Sequence, residues 1–230
     1  MAIQLLTPAL KVQEQMALDE VLVRADLGVP MLRFYHWTQG PAVTFGYAQF
    51  YEDVKKQCPA SAGPLCRRPT GGGVVFHGED LTFSLIFQSP WARPKEIYAR
   101  LHGGIERAFW LTGALDSSRQ GQVASQAYLP QQNGMATGCF VNPVEDDLLS
   151  GGQKVLGGAL RRFGSTVLYQ GSLQCAGARQ RPVFRRAIRQ GLEETLAVCF
   201  QTAPAEEEWL GQMRRLAKAQ YETEAWNLKF

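Results

Sequence analysis

Apolar positions recur at near-helical spacing over residues 13–27, at Met16, Leu18, Val21, Leu22 and Ala25, and Gly28 follows as a natural stop. The period then shortens to two. Across 30–37, Leu32, Phe34 and His36 alternate with Met31, Arg33 and Tyr35, and 42–46 reads as a second extended run. The clearest strand is 81–88, with Leu81, Phe83, Leu85 and Phe87 on one face. Pro94 opens a helix to about Leu111, with Ile97, Leu101, Ile105 and Ala108 inward and Gly113 closing it. Residues 117–138, rich in Gln, Ser and Gly, read as a long loop of the kind that is usually functional or mobile. Two extended segments, 153–162 and 165–173, meet at Gly164, and helical spacing returns over 182–199 and 205–220. Strands and helices mix without a regular βαβ alternation. That predicts an α+β fold on a mixed, largely antiparallel sheet, with 1–230 as one domain.

Composition narrows the function classes. A hydrophobic fraction of 45% can fill a sizeable core. A net charge of +3 excludes a strongly basic nucleic-acid binder. No apolar run approaches the roughly 18–20 residues of a membrane helix, and the first residues lack a signal-peptide pattern. Five cysteines at irregular spacing fit neither a disulfide framework nor a zinc site; they read as thiols of a reducing compartment, which predicts a cytoplasmic protein.

Three segments carry candidate chemistry. The first is Arg67-Arg68-Pro69-Thr70-Gly71-Gly72-Gly73, followed by Val74-Val75-Phe76-His77. Consecutive glycines permit positive φ and close backbone approach, successive N–H groups form a nest for an anion or carbonyl, and the arginines add forked positive charge. It departs from both the Walker A loop and the dinucleotide fingerprint, because β-formers follow it. A flexible loop with incidental arginines is the plainer reading. The second segment runs from Lys154 to Gly157-Gly158-Ala159; it suggests an ammonium aimed where backbone must pass close, and equally fits a surface lysine beside a bulge. The third is Cys139-Phe140, fifteen residues before Lys154. A nearby ammonium would favour a thiolate, and a thiolate beside an oxyanion-binding loop is the minimum equipment for acyl transfer; a core cysteine is the competing reading.

Taken in this order, these pieces resemble the lipoate/octanoate attachment family of lipoate–protein ligases and octanoyltransferases, with biotin–protein ligases as remoter kin. Ala17-Leu18-Asp19-Glu20 is similar to its first-helix signature, Phe45-Gly46-Tyr47-Ala48-Gln49 to its Gly-x-x-Gln, and Arg67–His77 to its substrate loop. Lys154–Ala159 matches its Lys-x-x-Gly-x-Ala and Tyr221–Asn227 its Tyr…Trp-Asn. His77-Gly78-Glu79-Asp80-Leu81-Thr82-Phe83-Ser84 and Cys139-Phe140 resemble the cysteine-using octanoyltransferase branch. Gly73 and Gln170 stand where many members have arginine and histidine.

The resemblance implies a cleft over a mixed sheet, like that of class II synthetase-type catalytic domains, without an accessory C-terminal domain. It implies Cys139 and Lys154 as catalytic residues, and Arg68, Thr70, Gly71, Gly72, Gly73, His77, Gly157, Gly158 and Ala159 as substrate-binding ones. The implied reaction takes an octanoyl or lipoyl group from an acyl carrier protein to a lysine of a lipoyl domain or glycine-cleavage H-type protein, without cofactor or metal. Val75 and Phe83 are candidates to line an acyl tunnel. The alternatives are an ATP- and Mg-dependent ligase working through acyl-AMP, and a non-catalytic acyl-binding homologue.

Overall fold

The computed structural model describes residues 1–38, 40–115, 122–123 and 146–230. Its elements in chain order are β1 (Ala2–Leu6), α1 (Val12–Ala25), β2 (Met31–Phe34), β3 (Ala42–Phe45), α2 (Tyr51–Gln57), β4 (Leu65–Arg67), β5 (Val75–His77), β6 (Leu81–Gln88), α3 (Pro94–Leu111), β7 (Gln122–Val123), β8 (Leu148–Ser150), β9 (Gln153–Phe163), β10 (Thr166–Leu173), α4 (Pro182–Leu196), β11 (Phe200–Pro204), α5 (Glu207–Leu216) and α6 (Glu224–Asn227). A π-helical turn, Ala217–Tyr221, continues α5.

Among the described residues, one sheet has the order β11-β1-β2-β6-β10-β9-β8-β7. Its first three strands run parallel and the remainder antiparallel, which is the mixed α+β architecture predicted. A second sheet, β4-β3-β5, is smaller. Period-two alternation places the functional face. Leu81, Phe83, Leu85 and Phe87 of β6, with Val167, Tyr169 and Leu173 of β10, join one buried cluster with Ile97, Leu101 and Ile105 of α3 and Phe184, Ile188 and Leu192 of α4. The alternate residues turn to the opposite face, where α1 lies: Ile86 and Leu168 pack with Met16, Leu18 and Leu22. Thr82, Ser84, Gln170 and Ser172 form a polar strip there, in register as Gln170 opposite Ser84 and Ser172 opposite Thr82.

Several boundaries differ from the sequence reading. β2 stops at Phe34, and Tyr35 continues it with one more backbone bond, to the Thr82 carbonyl, while its hydroxyl turns to Asp19. The helix read over 182–199 ends at Leu196, where Ala197 takes φ 53° and turns the chain into β11. β1 and β11 were not read at all. Each exposes part of its length (Leu6 is half exposed), which blurs the alternation. α2 is a single short helix with only Val54 buried. The region read as a loop over 117–138 lies outside the described residues except for β7.

Candidate active site

Asp19 on α1 anchors the polar strip. Its carboxylate accepts from Arg33 at 2.6 Å, Ser84 at 2.7 Å, Gln170 at 2.7 Å and the Tyr35 hydroxyl, all fully or nearly fully buried. A buried carboxylate of this kind stands only with charge pairing and several donors. The same environment keeps the Tyr35 hydroxyl protonated, since burial and then the Asp19 charge push its pKa well up. Gln170 bridges Asp19 to the glycine loop by accepting from Thr70 Oγ1 at 2.6 Å. The first-helix signature thus works through hydrogen bonds to the loop.

The loop is held from within. Arg68 donates to the carbonyls of Gly71 and Gly73 at 2.7 and 2.9 Å and to Thr44 Oγ1 at 2.9 Å, and Tyr47 N donates to the Thr70 carbonyl. Of the three glycines only Gly72 has positive φ, at 88°. A Cβ on Gly46 would lie 1.9 Å from the Gly72 carbonyl oxygen, which explains glycine in the Phe45–Gln49 motif. Arg67 points elsewhere. It donates to the carbonyls of Tyr47, Gln49, Trp226 and Asn227, while Trp226 Nε1 and Asn227 Oδ1 bond back to its own backbone. The Tyr…Trp-Asn segment therefore clamps β4.

His77 is buried on β5. One ring nitrogen pairs with Thr44 Oγ1 at 2.8 Å, the other with Asp80 at 2.9 Å, and the ring stacks on Trp37. Burial alone would raise the Asp80 carboxyl, but His77, Thr82 and Ser172 together hold it below its ordinary value. On the far wall the Lys154 ammonium meets Asp147 at 2.7 Å with both side chains buried. A Cβ on Gly157 would fall 2.1 Å from Lys154 Cε, and one on Gly158 would strike the Tyr169 ring, so each glycine makes room for a different neighbour. The Tyr98 hydroxyl donates to Asp147 and receives the Gly158 amide at 2.9 Å. Its ring stacks on His102, whose Nε2 meets the Tyr169 hydroxyl at 2.7 Å.

Between these walls is a cleft. Of the candidate substrate-binding residues, Arg68, His77, Gly157, Gly158 and Ala159 line it, with Gln170 and Ser172 on its floor. Val75 lines it also, whereas Phe83 faces the opposite core, because odd positions of β6 point away from α1. Thr70 acts from behind, through Gln170. Cys139 lies outside the described residues. Among the described cysteines, burial pushes up the thiols of Cys58 and Cys66 and takes Cys175 to about 11. No group of three or more metal-ligating side chains converges among the described residues. The sequence reading missed Asp147, Tyr98 and Thr44. Gly151-Gly152, with φ of 58° and 78°, is a two-residue hairpin signal that would have brought the start of β8 beside Lys154.

A mixed sheet with a glycine loop closing a cleft on its polar face, and a buried lysine nearby, is the arrangement found in the lipoate-protein ligase fold. The match to the lipoyl protein ligase A/B catalytic domain covers residues 11–198, and the chain belongs to that family. It is similar to the octanoyltransferase LipM of Carboxydothermus hydrogenoformans, 32% identical over 169 residues that span 70% of this chain and 60% of that relative. LipM of Anoxybacillus flavithermus is 27% identical over 260 residues, 93% of both chains. Among solved structures, lipoate-protein ligase A bound with ATP superposes with TM-score 0.77 at 23% identity over 99% of each chain. The bi-partite lipoate protein ligase of Thermoplasma acidophilum gives 0.73 at 22%, over 99% of this chain and 95% of that one. Both support the fold.

Proposed function

We propose that this protein is an acyltransferase that moves an octanoyl group from a phosphopantetheine carrier protein to a lysine of a lipoyl domain, in the cytoplasm and without a nucleotide. The observation that carries the reading is the buried Lys154 ammonium, paired with Asp147 and packed against Gly157, itself a lining residue of the cleft. The relatives named octanoyltransferases support the acyl group, and the lipoyl-domain partner of the Thermoplasma ligase supports the acceptor class. A glycine-cleavage H-type protein offers the same acceptor chemistry.

The reaction has two steps. The Cys139 thiolate attacks the donor thioester; a new carbon–sulfur bond forms, and the carrier thiolate leaves and takes up a proton. The acceptor lysine amine then attacks the acyl-enzyme; the amide bond forms, the Cys139 thiolate departs, and the amine gives up its proton. Each step develops negative charge on the acyl oxygen. A positioned ammonium and the loop anchored by Arg68, Thr70, Gly71, Gly72 and Gly73 stabilise it. His77, Gly157, Gly158 and Ala159 line the acyl site. The fall from thioester to amide drives transfer.

Intact-mass measurement after incubation with octanoyl carrier protein tests the covalent step. Wild type should gain one octanoyl mass, mapped to Cys139, and Cys139→Ala should gain none. Equal labelling of the two proteins would remove Cys139 from the mechanism.

A further inference from the structure

Behind the His77 wall is a group of nitrogen donors and positive charges that the acyl site does not use. Arg185 stands on the first turn of α4, and its Nε is buried with no hydrogen-bond acceptor among the described residues. The buried indole nitrogen of Trp37 is likewise unpartnered, and its ring stacks on His77 at 4.9 Å between centroids. Arg179 bonds to the Asp80 carbonyl at 3.2 Å and reaches its carboxylate at 3.5 Å; that carboxylate is already engaged by His77, Thr82 and Ser172. His36, exposed and next to Trp37, opens the group to solvent. Burial and then the charges of Arg185, Arg33 and Arg179 hold its imidazole below the ordinary value, and burial and then Arg179 lower Arg185. Arg33 is matched by Asp19; Arg185 has no carboxylate partner among the described residues. Crowded cations with two orphaned N–H donors are unfavourable unless an anion joins them.

We infer that Arg185, Arg179, His36 and Trp37 form a site for a phosphate ester, occupied by the phosphodiester of the donor's phosphopantetheine arm. This rests on the proposed thioester donor. Arginine suits the ligand because its planar fork matches phosphate oxygens. The location also suits it: Trp37 and Arg179 contact His77 and Asp80, and His77 lines the cleft, so an arm entering past this wall would leave its phosphate here and carry its thioester inward.

Calorimetric titration of the full chain with phosphopantetheine and with pantetheine tests the site apart from turnover. Phosphopantetheine should bind roughly 10- to 100-fold tighter, the worth of one or two charge-assisted hydrogen bonds. Arg185→Gln and His36→Gln, each checked for a native circular dichroism spectrum, should narrow that gap, and Arg185→Lys should restore part of it. Equal affinities in wild type, or a gap that survives both glutamine variants, would overturn the site. So would weaker binding of the whole carrier protein to Arg185→Gln without any gap, since that would assign the arginine to acidic side chains of the carrier. A gap without acyl transfer would keep the site and sink the proposed function; transfer without a gap would do the reverse.

Discussion

Lys154 carries its charge into the interior, and Asp147 goes with it: their side chains are 2% and 0% exposed. Removing one partner strands the other, at a cost of about 3–5 kcal/mol. Lys154→Ala alone therefore confounds folding with catalysis. The double variant Lys154→Ala/Asp147→Asn should recover most of the lost stability in urea unfolding yet remain roughly 10²–10³ slower than wild type in acyl transfer. Near-wild-type turnover by the double variant would make the pair purely structural. His102 next door gives a pH test. It is fully buried, and burial, then the Lys154 charge, take its pKa from 6.5 down to about 3. Below pH 6.5 the unfolded chain binds a proton at His102 that the native protein refuses. Stability is thus complete above that pH and falls as pH drops toward 3. Between pH 7 and pH 5 wild type should lose about 2 kcal/mol more than His102→Gln. Parallel losses in the two proteins would mean that His102 is protonated in the fold.

At the scale of elements, α3 and α4 cross where Gly104 meets Gly191. A Cβ on Gly191 would sit 2.5 Å from the Gly104 carbonyl oxygen and 2.7 Å from Ile105 Cα, all backbone that cannot rotate away. Gly191→Ala should destabilise by about 1–3 kcal/mol. Gly103→Ala, in α3 next to Gly104 and with open space around it, should stabilise by about 0.5–1 kcal/mol. Thermal melts of the two variants check the contrast; shifts of the same sign would contradict the crossing geometry. Such contacts leave no trace in the chain's periodicity, since a glycine in a helix reads the same whether it packs or not. What periodicity did carry was the alternation of β6. Leu81, Phe83, Leu85 and Phe87 share one face as read, and that face meets α3 and α4, which obliges Thr82 and Ser84 to face α1. Phe83 fell out of the proposed tunnel by the same rule. β1 and β11 were invisible because parallel strands at a sheet edge join residues nearly two hundred positions apart, Ala2 against Phe200.

Across the whole molecule, the site is the meeting of two sheets. The large sheet supplies Gln170, Ser172 and the Lys154–Ala159 wall; the small one supplies Thr44, Arg68 and His77; α1 ties them together through Asp19 and Gln170. Motif residues were legible in sequence because glycine, arginine and histidine stand out at fixed spacing. Their roles were less so: Arg67, Trp226 and Asn227 brace one another, and Arg68 braces the loop while also lining the cleft, all through backbone carbonyls that no spacing reveals. The central claim is that a thioester, and no nucleotide, drives the acyl group onto a lipoyl-domain lysine. One measurement tests it most directly: the intact mass of an acceptor domain after incubation with this protein and either octanoyl carrier protein alone or free octanoate with Mg-ATP. The account predicts octanoylated acceptor from the carrier thioester and little from the free acid. Efficient modification from octanoate and ATP, with none from the thioester, would contradict it and make the Arg68–Gly73 loop and Lys154 an adenylate site.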